Sequence, residues 1–197
     1  MPKIVDRDER RDFIARIAAE VIAAEGVEKA TIREIAQRAG ATRGLIEHHF
    51  RDKAEVIEKA LDWLNRRYLN REQKLLQGKE GLAALEARIR CFLPVSPVSR
   101  REWRLRLRFW SSSDPQVQAV QRTRLTETRR LFRDDIARAV ELRQMPAPTD
   151  PSLSAERVLS RVAGLSTQAM VDPHHYTRDH LLAELSLMIE ELRKKQG

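Results

Sequence analysis

The chain has 197 residues, and its 37 lysines and arginines outnumber its 29 aspartates and glutamates, which gives a formal net charge of +8. The single cysteine, Cys91, excludes an internal disulfide framework. The chain lacks the apolar run of roughly 20 residues that a membrane-spanning helix needs, and it lacks the basic start and apolar stretch of a secretory signal. These exclusions predict a cytoplasmic protein without a membrane partner.

A first amphipathic helix is predicted from about Asp8 to Glu25. Its apolar residues recur at helical spacing and form one stripe, which is typical of a helix that packs on a small core. The residues of that stripe are Ile14, Ile17, Ala18, Val21 and Ile22. Gly26 is the predicted stop signal, because glycine readily adopts the left-handed backbone conformation that ends many helices.

Two short helices joined by a tight turn are predicted next. Thr31 and Glu34 have the spacing of a capping box, which begins a helix by satisfying unpaired backbone amides. Gly40 predicts the end of this helix, and Thr42 is placed to cap the following one. Asp52 is a third candidate cap, so three cap signals lie within about two dozen residues, which is a strong local indication of helix-turn-helix structure.

The second short helix has two different faces. Ile46 and Phe50 are four residues apart, so they share the side that packs on the core. The residues on the opposite face are Gly44, Leu45 and His48. Because three helices can share one small core, residues 1–52 are predicted to form a helix-turn-helix DNA-binding domain. The helix from Thr42 to Phe50, called the reader helix below, then enters the major groove.

The rest of the chain is predicted to be helical. Asp52 and Glu55 form a second capping box and begin a long helix from about Lys53 to Gln77. Five further helices are predicted at about Gly81 to Leu93, Arg100 to Ser112, Pro115 to Arg143, Ser154 to Val171 and Thr177 to Lys195. No segment alternates as a strand does, so the predicted fold class is all-α, with a second helical domain at residues 53–197.

The helix-turn-helix segment resembles the tetracycline-repressor (TetR) family of bacterial regulators. The resemblance covers about residues 10–60 and rests on Thr31-Ile32-x-x-Ile35-Ala36-x-x-Ala39-Gly40, Thr42-Arg43-Gly44 and His49-Phe50-x-x-Lys53. The run from Ile46 to Lys53 is also similar to the choline-responsive repressors of betaine synthesis. The resemblance implies a ligand-responsive repressor whose second domain binds a small-molecule effector and dimerises.

Residues of the reader helix and of the helix starts are the candidate DNA contacts. Arg43 is the candidate base contact, because a guanidinium can bond guanine O6 and N7 together, and Leu45 can touch a thymine methyl group. Gly44 has no side chain and allows close approach to the DNA backbone. The candidate phosphate contacts are Thr31, Thr42, His48, His49 and Lys53. His49 has an alternative role as the donor of a hydrogen bond to a neighbouring carbonyl.

Glu47 departs from the family pattern, in which many members have an aromatic residue at this position. A carboxylate here repels phosphate. It can also accept a hydrogen bond from a cytosine amino group, or brace Arg43 one turn earlier. The sequence leaves all three roles of Glu47 open.

Charge is distributed unevenly along the chain. Residues 1–53 carry 11 basic and 10 acidic residues, whereas residues 54–144 carry 20 and 12. DNA affinity must therefore come from a local basic face and helix N-termini rather than from the domain's net charge. The central arginines are interpreted as a solvated helix surface, with anion binding by Arg104 or Arg108 as the alternative.

The resemblance places the effector pocket in the second domain. The candidate effector-binding residues are Trp103, Phe109 and Trp110. If the betaine subgroup applies, the effector is a choline-like quaternary ammonium, which aromatic faces attract. The alternative is that these rings fill the core, as aromatic residues at helical spacing usually do.

The two last helices are the predicted dimer interface. Their candidate interface residues are Val158, Leu159, Val162, Leu165, Leu181, Leu185, Met188 and Leu192. In the resembling family the equivalent helices form a four-helix bundle with a second subunit. A homodimer also suits DNA recognition, because two reader helices related by a two-fold axis read a palindromic operator. The alternative is packing on preceding helices of the same chain.

Catalysis is not predicted. His174, His175 and His180 lie close in sequence but lack convergent metal-ligating or acid-base partners, so no metal site and no cofactor are expected. No phosphate-binding glycine loop, nucleophile elbow or HExxH pair occurs. The sequence predicts a homodimeric, DNA-binding repressor released from its operator by an effector. The alternative is a helical interaction protein whose helix-turn-helix domain does not bind DNA.

Overall fold

A computed structural model of the chain describes residues 7–194. Within that range the chain forms nine α-helices and no strand, so the predicted all-α class is confirmed. The helices are α1 (Arg7–Glu25), α2 (Ile32–Arg38), α3 (Arg43–His49), α4 (Lys53–Leu76), α5 (Gly81–Phe92), α6 (Pro97–Trp110), α7 (Pro115–Glu141), α8 (Pro151–Val171) and α9 (Arg178–Arg193). The predicted end of the last helix, Lys195, lies outside the described residues. None of the described helices is long and apolar enough to cross a bilayer.

The described residues pack as two compact units. The first comprises the chain up to Tyr68 together with Arg104–Arg122, and the second comprises Leu69–Trp103 and the chain from Thr123 onward. Helices α4, α6 and α7 therefore each contribute residues to both units. These units reflect packing, and the predicted division of the chain after residue 52 stays a prediction.

The first unit has a continuous apolar core beneath the helix-turn-helix. The whole predicted stripe of α1 is buried in it. Ile35 of α2 and Ile46 of α3 are fully buried, and Phe50 is almost so. Each fully buried side chain of this size contributes roughly 1.5–3 kcal/mol to folding. Packing against α1 therefore holds two seven-residue helices that local propensity alone could not maintain.

Side chains cap the helices of this unit largely as predicted. The hydroxyls of Thr31 and Thr42 accept from the third backbone amide beyond them, at 3.1 and 3.2 Å. Gly26 and Gly40 end α1 and α2 with φ of 92° and 62°, a backbone conformation that costs glycine little.

The predicted capping boxes are only half formed. The carboxylate of Glu34 accepts from Arg38 at 3.1 Å instead of returning to the amide of Thr31, which donates to Lys29. Glu55 reaches one residue further back than predicted and accepts from the amide of Arg51 at 2.8 Å. Arginine partners compete for both carboxylates, which spacing alone does not reveal.

Two helices begin three residues before their predicted starts. Helix α6 begins at Pro97, because Ser96 accepts from the amide of Ser99 at 3.1 Å and proline suits a first helical position. Helix α8 begins at Pro151 for the same reason, with Asp150 accepting from the amides of Ser152 and Leu153. The predicted starts at Arg100 and Ser154 left Pro97 and Pro151 in the preceding connections, and this interpretation was wrong for both.

The second unit buries both aromatic rings and charge. The Trp103 ring packs edge-on against Phe92 at a centroid distance of 5.3 Å, and its indole N–H donates to the Phe92 carbonyl. Arg88 is buried and donates to Asp135 at 2.6 Å and to Glu72 at 2.9 Å, which joins helices α4, α5 and α7.

Burial also raises the pKa of the Cys91 thiol, so this cysteine is not a reactive thiolate.

Replacing Asp150 tests the capping of α8. Asp150→Ala removes the acceptor of two backbone amides and is expected to lower the free energy of unfolding by about 1 kcal/mol. Asp150→Asn retains an acceptor oxygen and is the matched control, expected to stay near wild type. Thermal unfolding at one fixed protein concentration measures both. Equal destabilisation by the two variants would contradict capping by the side-chain oxygen.

Candidate nucleic-acid interface

The N-terminal ends of α2 and α3 have a similar arrangement. Thr31 and Thr42 both have extended backbone, and each caps the helix that follows it. Both threonines are exposed. The first backbone amides of the two helices therefore stand beside exposed hydroxyl groups, a combination that suits phosphate oxygens.

The reader helix α3 presents an exposed face opposite its buried side. Ile46 is fully buried beneath it. Arg43, Gly44 and His48 are exposed, and Leu45 is partly exposed. A Cβ atom built on Gly44 would have no neighbour within 4 Å among the described residues. Packing against those residues therefore does not require glycine here, and close approach of Gly44 to DNA stays a prediction.

Glu47 braces Arg43, which was one of the three alternatives. The Arg43 Nε donates to the Glu47 Oε1 at 2.7 Å, one helical turn apart. The Arg43 side chain is 74% exposed, so this pair adds little to stability. Its effect is on orientation, because the bond engages Nε and uses none of the donors on the two terminal nitrogens of the guanidinium. Those two nitrogens are the donors that an end-on approach to guanine O6 and N7 would use.

His48 and His49 differ in environment. Their rings meet edge-on with centroids 5.3 Å apart, but His48 is exposed whereas His49 is partly buried. The Nδ1 atom of His49 is buried and has no hydrogen-bond partner among the described residues. Burial, followed by nearby positive charge, lowers the pKa of His49, so its ring is neutral at pH 7. A neutral ring is a weaker phosphate ligand than a charged one, and the role of His49 as a phosphate contact stays a prediction.

Lys53 lies at the start of α4 and is already engaged within the domain. Its ammonium group donates to the Glu28 carbonyl at 3.2 Å, across the connection between α1 and α2. An ammonium has three donors, so this bond leaves two for a phosphate. Its role as a DNA contact stays a prediction.

The C-terminal end of the reader helix is held by residues that the sequence interpretation missed. Arg11 of α1 donates to the carbonyl of His49 and to Glu55 Oε1, the second bond at 2.6 Å. Its guanidinium also lies over the Phe50 ring, 4.6 Å from the centroid. Bonds from the Arg51 amide and from Arg11 lower the pKa of Glu55 to about 2, so this carboxylate is ionised at pH 7. No local sequence signal marks these contacts, since Arg11 precedes its partners by 38 and 44 residues.

The candidate effector residues lie in different packing environments. Trp103 is buried in the second unit, whereas Phe109 belongs to the core of the first. Trp110 is partly exposed. Two described clefts, of about 690 and 200 Å³, are lined by other residues. The assignment of these three rings to an effector site stays a prediction.

Most of the candidate dimer residues are buried within the single chain. Those buried are Val158, Leu159, Val162, Leu181, Leu185 and Met188. Leu165 and Leu192 are partly exposed. The apolar residues that α8 and α9 expose most are others, namely Leu153, Val171 and Leu187. The periodic apolar pattern therefore marks mainly the side that packs within the single chain, and the role of these residues in a dimer interface stays a prediction.

The fold and this interface define a class of protein. Two capped short helices lie on a small core, and the second begins with an exposed arginine and glycine and a partly exposed leucine. This is the arrangement of a helix-turn-helix DNA-binding regulator. Residues 14–60 match the family model described as bacterial regulatory proteins, tetR family, and residues 82–194 match the one described as BetI-type transcriptional repressor, C-terminal. The chain belongs to the TetR family of transcriptional regulators and is not an enzyme.

Individual relatives agree with this assignment. The chain is 27% identical to the transcriptional regulator BetI of Yersinia pestis over 205 aligned positions, which cover 97% of this chain and 96% of BetI. A transcriptional regulator from Rhodococcus sp. has 27% identity and a TM-score of 0.78, with 92% of this chain and 95% of that one covered. A regulator from Saccharomonospora viridis, solved in complex with choline, has the same fold at 22% identity, with a TM-score of 0.81 and coverage of 93% and 96%.

Replacing Arg43 tests the predicted base contact. Selection from random duplex DNA supplies the operator, and Arg43→Ala is expected to weaken binding to it by about 1–3 kcal/mol, or roughly 5- to 150-fold. Binding to unrelated DNA should change much less, because a base contact carries sequence information. Arg133→Ala, which removes an exposed arginine outside the helix-turn-helix, is the matched control. Equal losses on operator and unrelated DNA would instead make Arg43 a phosphate contact.

Proposed function

We propose that two copies of this chain bind a palindromic operator as a homodimer, and that a small-molecule effector releases them. The exposed, capped reader helix with its braced arginine is the observation that carries the proposal. One seven-residue helix spans only a few base pairs, so a second copy is needed for a site of useful specificity. A repressor of this kind acts in the cytoplasm, where the bacterial chromosome lies.

The outward faces of α8 and α9 are the surface that we propose for dimerisation. A Cβ atom added to Gly164 of α8 would meet no atom within 4 Å in the part of the chain that the structure describes, so a partner helix can approach the backbone there. Leu187 of α9 is 47% exposed and Val171 at the end of α8 is 82% exposed. Leu165 and Leu192, which are partly exposed, stay in the proposed interface. The six buried candidate residues hold α8 and α9 in place within the single chain, and so fix the position of the proposed interface.

Replacing Leu187 tests this dimer surface. Leu187→Asp places an unpaired carboxylate within the proposed interface, where desolvation disfavours it, while the side chain stays solvated in a single subunit. The variant is expected to sediment as a monomer and to lose binding to a selected operator with two half-sites. Leu142→Asp, at a leucine that is 39% exposed, is the control and should remain a dimer. A dimeric Leu187→Asp protein, or an operator without two-fold symmetry, would contradict the proposal.

The proposed effector is a choline-like quaternary ammonium. The support is the BetI-type match over residues 82–194, together with the aromatic side chains of the second unit. A desolvated aromatic face attracts such a cation by about 2 kcal/mol or more. Trp103 of the second unit stays the proposed contact, whereas Phe109 and Trp110, which were also predicted, lie in the first unit. Because Trp103 is fully buried, effector contact with it requires the helices around it to separate.

Helix α4 is the proposed connection between effector and reader. It begins at Lys53, immediately after the reader helix, and continues for 24 residues. Near its C-terminal end, Arg71 forms a two-bond pair with Glu102 of α6, at 3.0 and 2.7 Å, and Glu72 bonds to Arg88 of α5. An effector that separates these helices therefore displaces the end of α4. A helix transmits such a displacement as a rigid element.

Choline is expected to weaken operator binding. Titration of the protein–operator complex by fluorescence anisotropy should show release, whereas 3,3-dimethylbutan-1-ol, a neutral analogue of the same shape, should leave the complex intact. Trp103→Leu keeps an apolar core residue but removes the aromatic face, and should reduce the response. Calorimetric binding of choline without release would contradict the coupling. Absence of binding would contradict the effector class.

A further inference from the structure

The turn between the reader helix and α4 is held by one ion pair. Three consecutive residues are involved. The His49 carbonyl accepts from Arg11, the Phe50 ring lies under the Arg11 guanidinium, and the Arg51 amide donates to Glu55 at 2.8 Å. Arg11 and Glu55 in turn bond to each other at 2.6 Å. A side chain of α1 and a side chain of α4 thus together contact His49, Phe50 and Arg51, the three consecutive residues through which α3 ends.

This arrangement satisfies groups that a helix end otherwise leaves unpaired. The last carbonyls of a helix have no partner within it, and α3 has no glycine cap, since Phe50 ends it with extended backbone. Arg11 supplies the missing donor at His49. Its side chain is only 20% exposed and that of Glu55 only 14%, so the pair is shielded from water and more rigid than a surface ion pair.

We infer that Arg11 and Glu55 are positioning residues that set the direction of the reader helix and thereby its affinity for the operator, without touching DNA. The inference rests on the proposed function, because it concerns how the same helix reads its operator. Arg11 has its guanidinium directed at protein acceptors, namely a carbonyl, a carboxylate and a ring face. Arg43 differs, because its side chain is exposed at the start of the helix.

The direction in which Glu55→Gln changes operator affinity distinguishes a positioning role from a purely electrostatic one. If Glu55 contributed only its charge, Glu55→Gln would remove a negative charge from a DNA-binding domain and strengthen binding. If Glu55 positions the turn, the same change weakens its bonds to Arg11 and to Arg51. We expect Glu55→Gln to weaken operator binding by roughly tenfold, the equivalent of one charge-assisted hydrogen bond.

The salt dependence of Arg11 variants provides the second readout. Arg11→Gln should weaken operator binding by a similar factor but leave the slope of log affinity against log salt unchanged. Loss of a phosphate contact would instead reduce that slope by about 0.9. Arg11→Lys keeps the positive charge but cannot bond the carbonyl and the carboxylate as a fork, and should behave like Arg11→Gln. The matched control is Arg16→Gln, which breaks an exposed pair with Glu20 on the same helix.

The experiment measures affinity of the full-length dimer for its selected operator and for unrelated DNA across a salt series. Thermal unfolding is measured for each variant to test whether it is folded at the assay temperature. If Arg11→Gln is not folded, Arg11→Lys and Glu55→Gln still test the inference. The double variant Arg11→Gln/Glu55→Gln should lose little more than either single variant, because the two residues act as one unit.

Unchanged or tighter operator binding by Glu55→Gln, or a reduced salt slope for Arg11→Gln, would overturn the inference. Independent, additive losses in the double variant would overturn it as well. Failure of the wild-type protein to select any operator would instead contradict the proposed function. The operator selection with the wild-type protein is therefore done before any variant is made.

Discussion

A helix of seven residues is too short to persist in water by itself, and the DNA-binding role of this chain depends on one such helix. Its stability must come from its surroundings. Thr42 closes the N-terminal end, Ile46 anchors the middle in the core, and Arg11 with Glu55 holds the C-terminal end. Each of these contacts also limits the directions that the helix can take. The interactions that let α3 exist are therefore the same ones that decide where Arg43 is presented.

The extent to which sequence predicts this site follows from the distance between interacting residues along the chain. Thr31 and Thr42 were correctly predicted as caps, because a cap and its amide lie three residues apart and one residue type suits the position. Arg11 could not be predicted, since its partners become neighbours only when α1 packs across α3 and α4. Glu55 shows both cases. Its spacing from Asp52 indicated a helix start, but its actual acceptor role depends on Arg11 and Arg51.

The same distinction explains the last two helices. Periodicity showed that α8 and α9 each have a strong apolar face, and Val162 and Leu181 are indeed fully buried. It could not show whether that face packs on the same chain or on another, because both environments select the same residue types. The informative residues are those that break the expected polarity of the outer face. Leu187 and Val171 are exposed apolar side chains, and Gly164 is a small residue with open space beside it.

Glu47 and the near-neutral charge of the DNA-binding segment have a common explanation. With 11 basic and 10 acidic residues in positions 1–53, non-specific attraction to phosphate is weak, and a misplaced reader helix gains little from charge alone. Specific binding then depends on donors that are already oriented before DNA arrives. Glu47 orients the donor group of Arg43, and the pair of Arg11 and Glu55 orients the helix that carries it. Under the proposed function, these carboxylates, which would weaken binding in a protein that relies on bulk charge, belong to the framework that makes DNA binding selective.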